Sequence, residues 1–426
     1  MFKFTSKVDL VKEIDVSEYR WCNEAILFHV KQGKGTLTHR MSEYDKEYYM
    51  HKSQLLLNDK PLIQGKYSSS PTCEGLLATG YGIENIDSPE LIKVRECMNS
   101  EYKGLKNALE NIKPLLGLLD DGYYVLADAK LYPSNSEGDF FYNVPNELSV
   151  NYGTCEGYYN SGSMFSGYFE SQPAYIYPTQ SADLIQEDRV DYYVDILKNN
   201  NDAPRGLAFY EQGFMCALLD GHHKACAASV LGDYFRCLII IPPTSYQFGY
   251  GGYKGEDSQV SAVNFAGITL DMDKGTLLKT YKASVKIEEF DMPLYNLTGR
   301  KFPDKYLRTY PTLKVLAAVA QNALQLDGDV FEYAKTLLSN PDNGNEERFG
   351  CLLEYLSCER KKEAYDIARY TLDHYGDNYD FKEQQWYALW VMVKQPSEES
   401  ERYMIDYMAN HDAHSYCWNL VNSYWD

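Results

Sequence analysis

The chain contains no CxxC pair, no apolar run approaching a membrane span and no surplus of basic residues. Each absence excludes something. Ten cysteines, at positions 22, 73, 97, 155, 216, 226, 237, 351, 358 and 417, are dispersed along the sequence, so a reducing, cytoplasmic setting is expected over a disulfide framework. The opening stretch MFKFTSKVDLVKEIDVSEYR alternates charged with apolar residues and lacks the continuous apolar core of a signal peptide. No later run approaches the ~20 apolar residues that cross a bilayer. With 41 Lys and Arg against 61 Asp and Glu, the net charge is -20, which opposes attraction to nucleic acid or anionic membranes. The surplus is not confined to one half, because residues 301–426 alone hold 13 basic and 21 acidic side chains.

What is present is ordinary globular composition: 426 residues, 44% hydrophobic and 24% charged. At ~150 residues per domain this length suggests two or three units. Tyrosine is abundant, at 39 residues, and pairs such as Tyr123-Tyr124 and Tyr192-Tyr193 suit either a recognition surface or half-buried element positions.

Periodicity and turn chemistry give an α+β reading in four segments. Residues 1–170 form a loop-rich mixed region, residues 171–245 a compact central unit, residues 246–300 a linker with a glycine-aromatic stretch, and residues 301–426 a helical, repeat-like domain. In the first segment Gln54 to Tyr67 reads as a hairpin turning at Asn58-Asp59-Lys60-Pro61, and Pro89 to Leu119 as a helix that Pro114 kinks or divides. The pairs Cys73-Glu74 and Cys155-Glu156 echo one another, but their ligand spacing is looser than soft metals usually take. The last segment shows successive short helical patterns, separated by Asn-Pro-Asp, Gly-Asp-Asn and Gln-Pro breaks. Stacked helical hairpins are expected there, with a surface suited to a protein partner.

The central segment is the most legible. Strand candidates Pro173–Pro178, Gly206–Tyr210, Phe214–Leu219 and Phe235–Ile241 alternate with helix candidates Asp183–Lys198 and His222–Leu231, in the order β-α-β-β-α-β. The corner Asp220-Gly221-His222-His223-Lys224 carries its polar chemistry. Gly221 relieves the turn, and the first amides of the following helix, with the positive end of its dipole, offer an anion site. Ala225, Ala228, Ser229 and Gly232 let that helix lie close to the sheet. Adjacent histidines point about 100° apart on a helix, unlike the i, i+4 pairs that metals favour.

The run Leu219 to Ala228, LDGHHKACAA, together with the preceding helix and the Ala203-Pro204-Arg205 loop, resembles the ParB/sulfiredoxin superfamily over about residues 173 to 243. That resemblance implies a phosphate-binding turn at Gly221, His222, His223 and Lys224. Sulfiredoxins place a cysteine where this chain has His222, and ParB proteins bind CTP and DNA through an arginine-rich turn. The free serine kinase branch is the nearest in motif, with Lys224 standing where an arginine is usual. Lysine neutralises phosphate as a point charge without a bidentate fork.

The implied ligand is a small phosphorylated molecule or a nucleotide (ADP/ATP or CTP) with Mg²⁺. On this reading Asp220 orients a histidine, holds the metal or accepts a proton; Glu187, with Asp188 as substitute, is the general base beside His223; and Thr179 and Gln180 bind substrate. The same residues have structural readings: Asp220 as a helix cap, His223 as a core histidine, Glu187 as a favourable charge at a helix start. Two functions of different class follow, a small-molecule phosphotransferase or nucleotide hydrolase, and a non-catalytic adaptor with a ligand-sensing domain. DNA binding or nuclease activity lacks the basic groove it needs.

Overall fold

A computed structural model describes residues 6–43, 50–68, 75–79, 88–135, 137–143, 172–199, 203–244, 263–292, 302–303, 305–306, 310–321, 326–340, 344–376 and 378–425. Both Cys-Glu pairs and the glycine-aromatic stretch from residue 245 to 256 lie outside these. The chain separates into two compact units, Met1–Arg308 and Thr309–Asp426.

The first unit is built on two sheets. Strands β1 (Lys7–Ile14), β2 (Cys22–Lys31), β7 (Gly122–Leu131), β8 (Tyr175–Pro178), β9 (Gly206–Gln212), β10 (Met215–Asp220) and β11 (Phe235–Ile241) form a seven-stranded mixed sheet in the order β1-β2-β7-β11-β9-β10-β8. Strands β3 (Leu37–Met41), β4 (Met50–Leu57), β5 (Lys60–Ser68), β6 (Gly75–Thr79) and β12 (Val285–Ile287) form a second, ordered β12-β3-β4-β5-β6. The expected hairpin is present as β4 and β5. Asn58 and Asp59 both take positive φ, at 52° and 62°, as a two-residue turn matched to strand twist requires.

The large sheet joins segments that the sequence reading separated. β11 pairs antiparallel with β7, Ile239 opposite Ala127, and parallel with β9, Ile239 opposite Ala208. A central strand flanked on both sides must be apolar on both faces. The run FRCLIII satisfies this, since Cys237 to Ile241 are fully buried. Residues before 132 and after 174 thus share one sheet, and one core runs from Leu27 and Val125 to Ala208 and Ile239.

Two helices come from the first segment, and the first of them packs on β10. α1 (Pro89–Met98) starts at Ser88, whose hydroxyl accepts from the Leu91 amide at 3.1 Å, with proline at the first helical position. α2 (Leu105–Leu116) begins after Gly104, φ +90°. The expected division at Pro114 is not where the chain breaks. Pro114 sits inside α2, in its last turn; the break falls at residues 99–104. In the central segment α3 (Glu187–Asn199) starts four residues later than expected, after a short 3₁₀ turn at Ala182–Leu184. α4 (His222–Leu231) follows β10, and α5 (Lys274–Ser284) packs on β7.

The second unit is helical: α6 (Leu313–Gln321), α7 (Val330–Ser339), α8 (Asn345–Glu359), α9 (Lys361–Tyr375), α10 (Lys382–Lys394), α11 (Glu398–Asn410) and α12 (Trp418–Asn422). Besides sequential neighbours, α6 packs on α8, α8 on α10 and α10 on α12, while α7 touches α9. Alternate helices therefore stack in layers, as in arrays of helical hairpins. Caps recur at the starts, with Asp329 accepting from the Phe331 and Glu332 amides and Ser397 from that of Ser400. Among the described residues no helix is long and apolar enough to cross a membrane.

Candidate oxyanion site at the start of α4

β10 ends at Asp220, and Gly221 turns the chain in the left-handed region, φ +104°. A Cβ there would stand 3.0 Å from the Gly206 Cα and 3.2 Å from the Phe235 ring, so only glycine fits without strain. α4 then runs inward, with His222 through Ser229 buried. Its first intrahelical bond is from the Ala225 amide to the Gly221 carbonyl. The amides of His222, His223 and Lys224 precede it, and among the described residues none meets an acceptor.

The imidazoles have specific partners. His222 Nε2 accepts from the backbone N–H of Thr179 at 3.1 Å and of Gln180 at 3.2 Å, and His223 Nε2 accepts from that of Gln186 at 3.1 Å. A ring nitrogen that accepts carries no proton. These contacts therefore assign both rings the neutral Nδ1–H tautomer. Their affinities agree: burial, then the nearby Arg95, holds His222 well below the usual range, and burial, then Arg189, lowers His223 to about 4. Among the described residues neither Nδ1 meets an acceptor.

Lys224 is 2% exposed. Its ammonium donates to the Met98 carbonyl at 2.8 Å and the Arg205 carbonyl at 3.0 Å, and lies 3.8 Å from Asp220 Oδ2 and 5.7 Å from the centre of the Tyr193 ring. Burial lowers its proton affinity against the pull of Asp220. Two of its three protons are thus committed to carbonyls. Lys224 is a post tying the end of α1 to the start of β9, and its charge reaches the site without its hydrogen bonds. Arg205 is itself fixed by a two-pronged pair with Asp128, at 2.9 and 3.3 Å.

Asp220 lies between two cations, with Oδ1 3.6 Å from Arg95 Nε and Oδ2 facing Lys224; Oδ2 is buried and makes no hydrogen bond. Neither histidine donates a hydrogen bond to it. Glu187 stands apart: its carboxylate is 69% exposed and pairs with Lys305 at 3.2 Å. The Thr179 hydroxyl is spent on the Leu218 carbonyl at 2.5 Å, so Thr179 contributes through its amide.

These groups border a cavity of about 330 Å³, lined by His222, His223, Lys224, Asp220, Gly221 and Gln180 and, from α1 and α3, by Ile92, Arg95, Glu96, Asn99, Arg189 and Tyr193. The two arginines are the participants that sequence reasoning missed. Of the charged groups three are cations and two carboxylates, so the cavity is locally positive in a protein of net charge -20. The arrangement can receive an anion through backbone N–H groups, Nδ1–H donors and guanidinium forks. It does not fit a protein-held divalent cation, because Asp220 is flanked by Arg95 and Lys224. Among the described residues no group of three or more His, Cys, Asp or Glu side chains could hold a metal ion.

A second buried polar cluster links the two sheets. His39 Nε2 lies 2.8 Å from Glu211 Oε1 and meets Ser53 Oγ, which donates to the same carboxylate oxygen at 3.1 Å. All three side chains are buried. Comparison with protein-family models, with curated proteins and with solved structures returned no match for this chain.

Proposed function

We propose that the α4 corner binds the phosphate group of a small phosphorylated molecule. The observation that carries this reading is the convergence, on one cavity, of the open amides of His222 to Lys224 with Arg95 and Arg189. A helix start contributes roughly half a unit of positive charge along with its N–H groups. Guanidinium groups add bidentate geometry that the buried Lys224 cannot supply. The neutral histidines fit the same role, since each has its proton on Nδ1, available to donate.

Binding, without phosphoryl transfer, is the part the geometry supports. A general base needs a free lone pair within reach of its substrate. Here both Nε2 atoms are occupied by backbone amides, and Glu187 points to Lys305. Neither His223 nor Glu187 is therefore placed as the base expected of it, which favours a ligand-sensing role for the first unit.

The test is phosphate binding by the intact chain, measured by isothermal titration at matched ionic strength with chloride as control. Arg189→Gln combined with Arg95→Gln is expected to weaken binding at least about 150-fold, given 1.5–3 kcal/mol per charged hydrogen bond and one such bond from each arginine. Equal phosphate affinity in the wild type and the double variant, with both folded by circular dichroism, overturns the reading.

A further inference from the structure

We infer, on the basis of the oxyanion reading above, that the ligand is the phosphate ester of a small polyhydroxylated molecule, such as a sugar phosphate, and that the site has no place for a nucleobase. The lining carries this. Beyond the phosphate-facing groups, the cavity offers one aliphatic side chain, Ile92, and one aromatic ring, Tyr193. The Tyr193 face already holds the Lys224 ammonium at 5.7 Å, and its hydroxyl donates to Asn99 Oδ1 at 2.9 Å. A base would need a flat apolar slot, as ligand pockets for aromatic groups normally provide.

The remaining wall is polar and mixed. The Asn99 amide nitrogen and the Gln180 carboxamide have no partner among the described residues, and Glu96 is also part of the lining. Carboxamides and a carboxylate together recognise hydroxyl groups, each of which both donates and accepts. The helix start is not alone in pointing to a ligand. His222 is 3% exposed and lines the cavity, and its Nδ1 meets no acceptor among the described residues. At about 330 Å³ the cavity lies near the lower end of the ~300–1,000 Å³ typical of ligand sites. That volume suits a phosphate with a few hydroxylated carbons.

Isothermal titration of the intact chain with inorganic phosphate, ribose 5-phosphate and AMP separates the possibilities, because AMP carries a base in place of the anomeric hydroxyl of the phosphorylated sugar. Ribose 5-phosphate is expected to bind at least about tenfold tighter than inorganic phosphate, with AMP no tighter than ribose 5-phosphate. Gln180→Leu should abolish the preference for ribose 5-phosphate over inorganic phosphate, both titrated into the same variant. AMP tenfold tighter than ribose 5-phosphate, or ribose 5-phosphate no better than phosphate, overturns the polyol assignment while the oxyanion reading stands. Absence of binding by all three overturns both.

Discussion

Among the described residues of the first unit, two clusters contain buried histidine, and they differ in what their polar groups meet. His39 meets Glu211 and Ser53, so a ring, a carboxylate and a hydroxyl answer one another within the protein. At the α4 corner the imidazoles meet backbone amides, and the surrounding cations outnumber the carboxylates beside a cavity. Burial alone therefore does not mark a binding site. A polar cluster whose groups meet one another inside the protein reads as structural, whereas one with a surplus of a single sign next to open volume reads as a receptor for the opposite sign.

The comparison is broken most severely by removing the ammonium at the corner. Lys224→Met leaves the carbonyls of Met98 and Arg205 without their donor and Asp220 with one cation, and should cost about 4 kcal/mol in urea unfolding, the scale of a broken buried charge pair. A loss under about 1 kcal/mol would show that Lys224 does not organise the corner.

Acid sharpens the contrast next. His223 is held at about 4 against the usual 6.5, so the folded state binds its proton more weakly than the unfolded chain does. Its contribution is fully present above pH 6.5, declines as pH falls toward 4, and levels off below that. With ~1.4 kcal/mol per pH unit this amounts to about 3 kcal/mol at pH 4, and the buried His222 acts in the same direction. Urea midpoints at pH 7 and pH 4 should move closer together in His223→Gln than in the wild type; equal spacing in the two proteins would contradict the assignment.

The smallest effect probes the turn. Gly221→Ala forces a side chain into φ +104° against Gly206 and Phe235, with an expected cost of about 2 kcal/mol. A variant as stable as the wild type would mean that the corner yields freely.

The parts that were legible in the sequence are those fixed by local rules. Gly221 between a strand and a helix, the apolar run of β11 and the Asn58-Asp59 turn each state their own conformation through backbone strain or burial. The short helices of the second unit announce themselves by periodicity and capping residues such as Asp329. Arg95 had no such signal, because it lies 125 positions before Asp220 and is brought there only by the packing of α1. Arg189 did leave a trace: a cation in the first turn of a helix opposes the dipole and needs a reason. Lys224 misled because lysine is normally solvated, and only the folded chain reveals the two carbonyls that let it be buried.

The pairing of β7 with β11 has a practical consequence for handling this molecule. An excised piece spanning 171–245 would lose every rung from Val125 to Leu131, leaving Phe235 to Ile241 with a bare row of amides and carbonyls along a greasy ribbon. Such a strip is adhesive toward its own kind, so the piece that looks self-sufficient on paper would sooner clump than fold.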